Sequence, residues 1–421
     1  MPRAQTVPEE PPLETELILR FARAGHDAGY PTAELEQRVL ALAGAMGLSE
    51  VQIFATPTVV DVSIGPLASQ RNYTLRVRPS SVDLDAIARL DDLVDDVRQR
   101  RLDPAAALAR LEVVHSRPLR RPWPLVLCGY ALAGAALAPV IGGSLRESGA
   151  AALVGLAVGA TVMSTRSLVR VEPILVPIGA VAAGFGAYAI AQLGLDVSPD
   201  LVALAALVTL LPGMTLTIGM RELATEHLQS GVANTASALV QLLGLVFGVE
   251  IGRSIAVNWF GQVTQAAPES PFATWHVLAA LVAGFAFTLT LRARLRDAWV
   301  MCAATVLALG TRELGSVLLG SGAAAFAAAL TLGVVGNLAG VRLRRSPLVF
   351  IVPGVLMLVP GSAGYNSVLK LVTDQTINGI TAGFDTFVTA ISIAYGLMVS
   401  AVLLPRSVTP LAPTGPNPGE R

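Results

Sequence analysis

One lysine, Lys370, serves the whole chain, and cysteine occurs only twice, at Cys128 and Cys302. Both cysteines stand in apolar runs, which excludes a disulfide framework and a cysteine-based metal centre. Charged residues are scarce at 14% and sum formally to zero, so the charge balance gives no reason to expect a nucleic-acid partner. The first residues, MPRAQTVPEEPPLETELILR, hold no long apolar core and no small-residue cleavage pattern. No signal peptide is therefore expected, and the N-terminal region should stay in the cytoplasm. Residues 13–116 carry no Gly-rich phosphate loop, no metal-ligand spacing and no nucleophile elbow. No enzyme activity, cofactor or metal is expected. What the chain does have is apolar sequence: 53% of its residues are hydrophobic, too many for an ordinary soluble protein.

Most of the charge lies in residues 1–121, and the apolarity follows it. Residues 1–12, rich in Pro and Glu, read as a disordered leader. Leu13, Leu17, Phe21, Ala24 and Ala28 recur at helical spacing. Pro31 suits the first turn of a helix over Thr32–Met46, and Gly47 suits its end. Val51–Phe54, Thr58–Ile64 and Tyr73–Val77 have strand patterning, and helices should follow at Val82–Arg100 and from Asp103-Pro104 to His115. A cytoplasmic α+β domain over 13–121 results. His26-Asp27 and His115 are its tempting chemistry, but a His-Asp dipeptide on a helix is ordinarily a solvated pair, and catalysis would need a cleft and an orienting third group. Asp91, Asp92, Asp95 and Asp96, followed by Arg98, Arg100 and Arg101, read as a charged helix whose acid-first order suits the helix dipole.

Apolar runs near 124–143, 149–165, 174–194, 200–219, 231–258, 273–291, 297–311, 321–341, 347–365 and 379–404 come close to the ~20 residues a bilayer crossing needs. The seventh is interrupted by Thr311-Arg312-Glu313. Arginines collect in alternate loops (Arg117, Arg120, Arg121; Arg166, Arg170; Arg221; Arg292, Arg294, Arg296; Arg342, Arg344, Arg345; Arg406), while of the other loops Asp196–Asp200 and Gly261–Pro271 have none and the first has Arg146. By the positive-inside rule both termini are cytoplasmic. Residues 406–421 read as a disordered tail.

Two stretches align without a gap 148 positions apart: Leu210–Ser237 and Leu358–Asp385. Each has a Pro-Gly pair in an apolar run, Pro212-Gly213 and Pro360-Gly361, then a polar link and a Gly opening the next run, Gly231 and Gly379. Ser148-Gly-Ala-Ala-Ala-Leu153 echoes Ser321-Gly-Ala-Ala-Ala-Phe326 as the opening of the second span of each half. The expected fold is a multi-span α-helical membrane protein of about ten transmembrane helices, in repeats over 122–260 and 272–405. Five spans per copy is an odd number, so the repeats should be inverted.

Proline in a helix removes an N–H and pushes off the carbonyl four residues back. Pro212 would free Val208, and Pro360 would free Leu356. Such groups are tolerated at membrane depth when buried in protein or facing a watery cavity. Half-helix ends there suit a zwitterion, whose carboxylate meets an N-terminus and whose ammonium meets carbonyls. The plainer reading is a kink; the matched pair favours a functional break. The candidate substrate pathway is Pro212, Gly213, Thr215, Gly231, Asn234, Pro360, Gly361 and Gly379. Ionisable residues within spans are costly and point to function. Asp385 has no neighbouring cation in sequence. Glu250 and Arg253, three apart, share a face and neutralise each other in the structural reading. Arg221 and Glu222 end the fourth span, and Arg312-Glu313 read as snorkelling at an outer boundary. Asp385, Glu250, Arg253 and Glu222 are the candidates for proton coupling or charge. Asn234, Gln241 and Asn337 read as interhelical hydrogen-bonding amides.

The chain resembles the threonine/serine exporter family of bacterial inner-membrane proteins over about residues 13–405. In the soluble part the resemblance rests on Leu17–Gly29, Glu34–Leu48, Thr56-Pro57-Thr58 and Arg76 ahead of Val82-Asp83-Leu84. In the membrane part it rests on Leu211-Pro212-Gly213 with Gly231 and Val359-Pro360-Gly361 with Gly379. It implies export of threonine and serine driven by the proton motive force, with a bilayer and a small metabolite as partners. It brings no catalytic residues. Some members carry a longer N-terminal extension than this sequence shows. Related systems split the two halves into separate chains associated with dicarboxylate (succinate) export, so a dicarboxylate is the alternative substrate; a single lysine and loop-bound arginines tilt against it. A membrane-anchored enzyme or a sensor using the N-terminal domain is the alternative of another class. A homo-oligomer is left open.

Overall fold

The computed structural model describes residues 11–48, 50–78, 82–116, 121–165, 174–262, 273–343, 345–358, 361–372 and 375–404. The chain forms two compact units, one ending at Arg120 and one spanning Arg121–Leu404.

The first unit packs α1 and α2 on a small sheet and α3 and α4 on those helices: α1 Leu13–Asp27, α2 Thr32–Ala45, β1 Val51–Ala55, β2 Val59–Ile64, β3 Arg71–Arg76, α3 Leu84–Arg98 and α4 Pro104–Ser116. The sheet is an antiparallel meander, with Val51 opposite Ile64 and Val59 opposite Arg76. Thr56 closes the first hairpin, its hydroxyl accepting from Val59 N–H. Asp83 caps α3 through Ala86 N–H and Asp103 caps α4 through Ala106 N–H, satisfying donors that have no partner within the helix. Gly47 takes φ +77° just past α2, a conformation that costs glycine least. Leu17, Phe21, Leu35, Leu42, Leu84, Ile87, Leu90 and Leu93 form the core, with Val60 and Val62 on the inner sheet face. The acidic helix is more than a solvated face. Asp91 is buried, pairs with Arg38 at 2.9 Å and accepts from Tyr30 Oη at 2.7 Å. Helical spacing turns Asp91 inward beside Ile87 and Val94, while Asp96 turns outward to Arg101 and Arg110.

The second unit is all helix: α5 Trp123–Val140, α6 Leu145–Thr165, α7 Leu175–Ala191, α8 Pro199–Ala206, α9 Gly213–Ala224 and α10 Leu228–Phe260, then α11 Ala273–Thr290, α12 Ala298–Leu319, α13 Ser321–Leu343, α14 Leu348–Leu358, α15 Gly361–Val372 and α16 Thr376–Leu403. Two sets follow the same order: three helices, two short helices, one long helix. Among the described residues seven helical stretches are long and apolar enough to cross a membrane, Leu348–Val372 counted as one, and Leu175–Ala191 and Trp275–Thr290 are shorter apolar helices. Side chains along α8 and α14 are buried almost all round, as expected of helices enclosed by others rather than facing lipid.

The contacts repeat between the sets. Helix α8 touches α5, α6 and α7, and α14 touches α11, α12 and α13; α7 lies along α10 and α13 along α16. Between the sets α5 meets α11, and α9 meets α16 as α15 meets α10. Exchanging the sets maps each of these contacts onto another of them. Atomic detail agrees. A Cβ on Gly231 would meet Leu223 Cγ at 2.7 Å, and one on Gly379 would meet Leu371 Cγ at 2.7 Å. The same holds for Gly248 against Pro177 and Ala180 and Gly396 against Phe326 and Ala329. In one place the partners are exchanged: Gly219 lies against Thr235, whereas Ser367 lies against Gly383. Small residues bring helix backbones close where no hydrophobic effect acts between helices.

Three expectations are corrected. Helix α12 runs unbroken through Thr311-Arg312-Glu313, because Thr311 Oγ1 donates to Leu307 O and the two charges lie on the exposed face. Ser321 opens α13, the third helix of its set, so its likeness to Ser148 in α6 is alanine-rich coincidence; the counterpart of α6 is α12. Gln241 bonds within α10, to Ser237 one turn back, not between helices. Pro360, the leader to residue 10, the arginines at 117, 120, 166, 170, 344 and 406, most of Gly261–Pro271, the tail, and the His115 side chain lie outside the described residues.

Candidate substrate pathway

The first break is wider than one proline requires. Helix α8 already stops at Ala206, and Leu207–Leu210 make turns before Pro212 caps α9. Leu210 and Leu211 N–H both turn back to Leu207 O. The Val208 carbonyl, which Pro212 cannot serve, accepts no backbone bond among the described residues. The hydroxyls of Thr209, Thr217 and Thr235 are buried without a partner among the described residues. Three buried hydroxyls and a loose carbonyl around one half-helix are unusual, since buried polar atoms are normally bonded. Sequence reading passed over these threonines because a threonine in an apolar run ordinarily bonds its own helix, as Thr288 and Thr305 do.

Pro212 and Gly213 are buried at this break and Thr215 is half-buried one turn on. Gly361, also buried, opens α15 in the second set. Gly231 and Gly379 hold the elbows where α9 turns into α10 and α15 into α16. Asn234 spans one elbow, its Nδ2 donating to Glu222 Oε2 at 2.6 Å. Glu222 is thereby a buried carboxylate, 3% exposed, not a loop charge, because α10 folds back over the end of α9. Asn337 is buried in α13. Asp385 stands apart: it is exposed on α16, and its side chain has no partner among the described residues.

Glu250 and Arg253 do pair, Nε and Nη2 of Arg253 both donating to Glu250 Oε2 at 2.8 and 2.7 Å. They are not alone. The Arg253 guanidinium carbon lies 6.0 Å from the centre of the Tyr188 ring, and Tyr188 Oη donates to Asp200 Oδ1 at 2.8 Å. Tyr365, in the half-helix α15, lies within electrostatic reach of Asp200, Glu250 and Tyr188. Four residues from three helices thus meet, with Tyr365 nearby. Tyr188, Asp200 and Tyr365 were not legible as site residues, since a tyrosine in an apolar run reads as core and Asp200 reads as a loop charge.

In the first unit His26 is half-buried, and burial holds its imidazole below the ordinary 6.5 despite Asp27 and the Thr56 and Pro57 backbone. Asp27 beside it is exposed. The described geometry brings no third catalytic group to the dipeptide. Glu313 meets His276 of α11 at 2.6 Å.

Apolar helices of spanning length, half-helices enclosed by others and polar side chains gathered around them define a multi-pass membrane protein of the transporter class. The family described as "Putative threonine/serine exporter" matches residues 16–256, and the one described as "Threonine/Serine exporter, ThrE" matches 276–403. The chain belongs to the threonine/serine exporter family. It is 24% identical over 388 residues to a protein of Corynebacterium glutamicum named "Threonine/serine exporter", covering 88% of this chain and 78% of the relative. It is 27% identical over 411 residues to a Mycobacterium tuberculosis protein named "Probable threonine/serine exporter", covering 92% and 76%. No solved structure matches the chain.

Proposed function

We infer that the protein is an inner-membrane secondary exporter of threonine and serine, driven by the proton motive force. The observation that carries this reading is the break between α8 and α9, with α14 and α15 in the matching places of the second set and reciprocal contacts linking the two. Each set counts as five spans, with a half-helix pair making the fourth and the ninth. Residues 122–260 and 272–405 are then inverted repeats about an axis in the membrane plane. The 13–121 domain and both termini lie in the cytoplasm. The four tryptophans, Trp123, Trp259, Trp275 and Trp299, are all exposed near helix ends, which supports interfacial anchoring at both membrane faces. A cysteine at Gln265 should react with an impermeant thiol reagent from outside, and one at Ser346 should not.

Substrate passes the Pro212-Gly213 and Pro360-Gly361 breaks, beside Thr215, Asn234 and the elbows at Gly231 and Gly379. Glu222 and Asp385 are the groups that carry the coupling proton, because an ionisable side chain within a membrane span is costly unless it is used. The test is efflux of labelled threonine, serine or succinate from proteoliposomes, with and without a pH gradient. Threonine or serine efflux that rises with the gradient is expected; efflux of succinate alone would reverse the substrate. Asp385→Asn should lose the response to the gradient more than it loses exchange at equal pH. A full response in that variant moves the proton to Glu222.

A further inference from the structure

The Glu250–Arg253 pair has a feature that a plain helix-surface ion pair does not need. Both guanidinium bonds go to one carboxylate oxygen, Glu250 Oε2. Arg253 Nη1 and Glu250 Oε1 make no bond among the described residues. Neither atom is sealed off: the side chains are 39% and 26% exposed. The pair therefore presents a charged donor and a charged acceptor side by side. An α-amino acid carries its carboxylate and its ammonium on one carbon, so the two faces match group for group. An arginine fork is the residue best shaped for a carboxylate.

The surroundings point the same way. Arg253 lies six residues before Trp259, about 9 Å along the helix from the aromatic end of α10. A charged pair at that depth is costly unless used. The Tyr188 ring stacks beneath the guanidinium at 6.0 Å, fixing it without using its free donor. Tyr188 Oη and Asp200, bonded at 2.8 Å, add a hydroxyl and a second carboxylate, the groups a hydroxylated side chain can bond. Tyr365 of α15 lies within electrostatic reach of the cluster. Two carboxylates against one guanidinium accept a zwitterion and repel a dianion. In the second set the matching stretch of the long helix holds Met398 and Ala401, so the second set lacks this charged pair.

We propose that Arg253, Glu250, Tyr188 and Asp200 form a binding station for the zwitterionic α-amino acid, Arg253 taking the carboxylate and Glu250 the ammonium. The proposal rests on the exporter reading and names the site it lacks. The test is threonine-for-threonine exchange in proteoliposomes bearing the full chain, with threonine methyl ester and 3-hydroxybutyrate as competing probes. Arg253→Gln and Glu250→Gln should each raise the half-saturating threonine concentration roughly 10- to 100-fold, as loss of a charge-assisted hydrogen bond implies. Arg253→Gln should also lose the preference for threonine over its ester, and Glu250→Gln the preference over 3-hydroxybutyrate. The swap Glu250→Arg with Arg253→Glu keeps an ion pair but should not restore binding. Unchanged half-saturation and preferences in the single variants, or full restoration by the swap, would make the pair merely structural and overturn the proposal. If the wild type exchanges no threonine at all, the exporter reading fails and the station with it.

Discussion

Replacing Gly252 by alanine adds one methyl group where α7 and α10 touch backbone to backbone. The new Cβ would lie 2.6 Å from Phe185 N and closer still to Val181 O. From the other side, a Cβ on Gly184 would lie 2.9 Å from Val249 Cα. Backbone atoms of a helix cannot swing aside as a side chain can, so α7 and α10 must separate along this seam. Overpacking of this kind costs about 1–3 kcal/mol. Against it stands the gain of about 1 kcal/mol from alanine over glycine within a helix. The net expectation for Gly252→Ala is a loss of up to ~2 kcal/mol. Gly310 in α12 is the control, because a Cβ there meets nothing within 4 Å. Gly310→Ala keeps the propensity gain alone and should stabilise by up to ~1 kcal/mol. Thermal unfolding in detergent, followed by loss of helical circular dichroism, reads both. Opposite signs are expected. Equal shifts in the same direction would mean that the helices slide apart freely, and the close approach would then contribute nothing to the fold.

Pro212→Ala should let α9 extend back toward α8 and satisfy the Val208 carbonyl, lowering export while the protein still inserts; normal efflux per folded molecule would reduce the break to a kink. Arg38→Ala should cost the first unit about 3–5 kcal/mol, because it leaves Asp91 buried without its cation. Arg38→Met with Asp91→Leu should recover most of that loss, and a double variant as unstable as the single would show the pair itself to be the stabilising element. Burial holds the folded His26 pKa below 6.5, so the unfolded chain binds the proton first as pH falls. Stability should therefore decline as pH drops below 6.5 and level off once the folded imidazole is also protonated. His26→Gln should flatten that slope in melts of the full chain, and an unchanged slope would assign it to other groups.

Much of the fold could be read from residue order because its signals are local. Strand alternation in Val59–Ile64 and the helical spacing of Leu13, Leu17 and Phe21 need no knowledge of distant partners. The elbows were legible for a different reason. Gly231 and Gly379 sit where a neighbouring residue leaves no room for a side chain, and such a constraint persists while the sequence around it drifts. Alanine-rich runs carry no comparable constraint, which is why Ser148 and Ser321 align misleadingly. The site was harder. Asp385, conspicuous as a lone charge, lies exposed, whereas Glu222, placed by the sequence at the end of the fourth span, is buried by the return of α10. The Tyr188–Asp200 bond closes across a turn between two apolar helices, and no periodicity in either helix announces it.

The exchanged partners at the elbows set a rule of inheritance. One crossing keeps its hydroxyl on the long helix, at Thr235, and the other keeps it on the half-helix, at Ser367. A recombinant that joined α15 to α10 would bring Ser367 against Thr235 and overfill the seam. One that joined α9 to α16 would bring Gly219 against Gly383 and leave a gap. Half-helix and long helix must therefore be transmitted as a single block, and breakpoints tolerated in descent, or chosen in building chimaeras, should fall between α7 and α8 or between α13 and α14 rather than within an elbow.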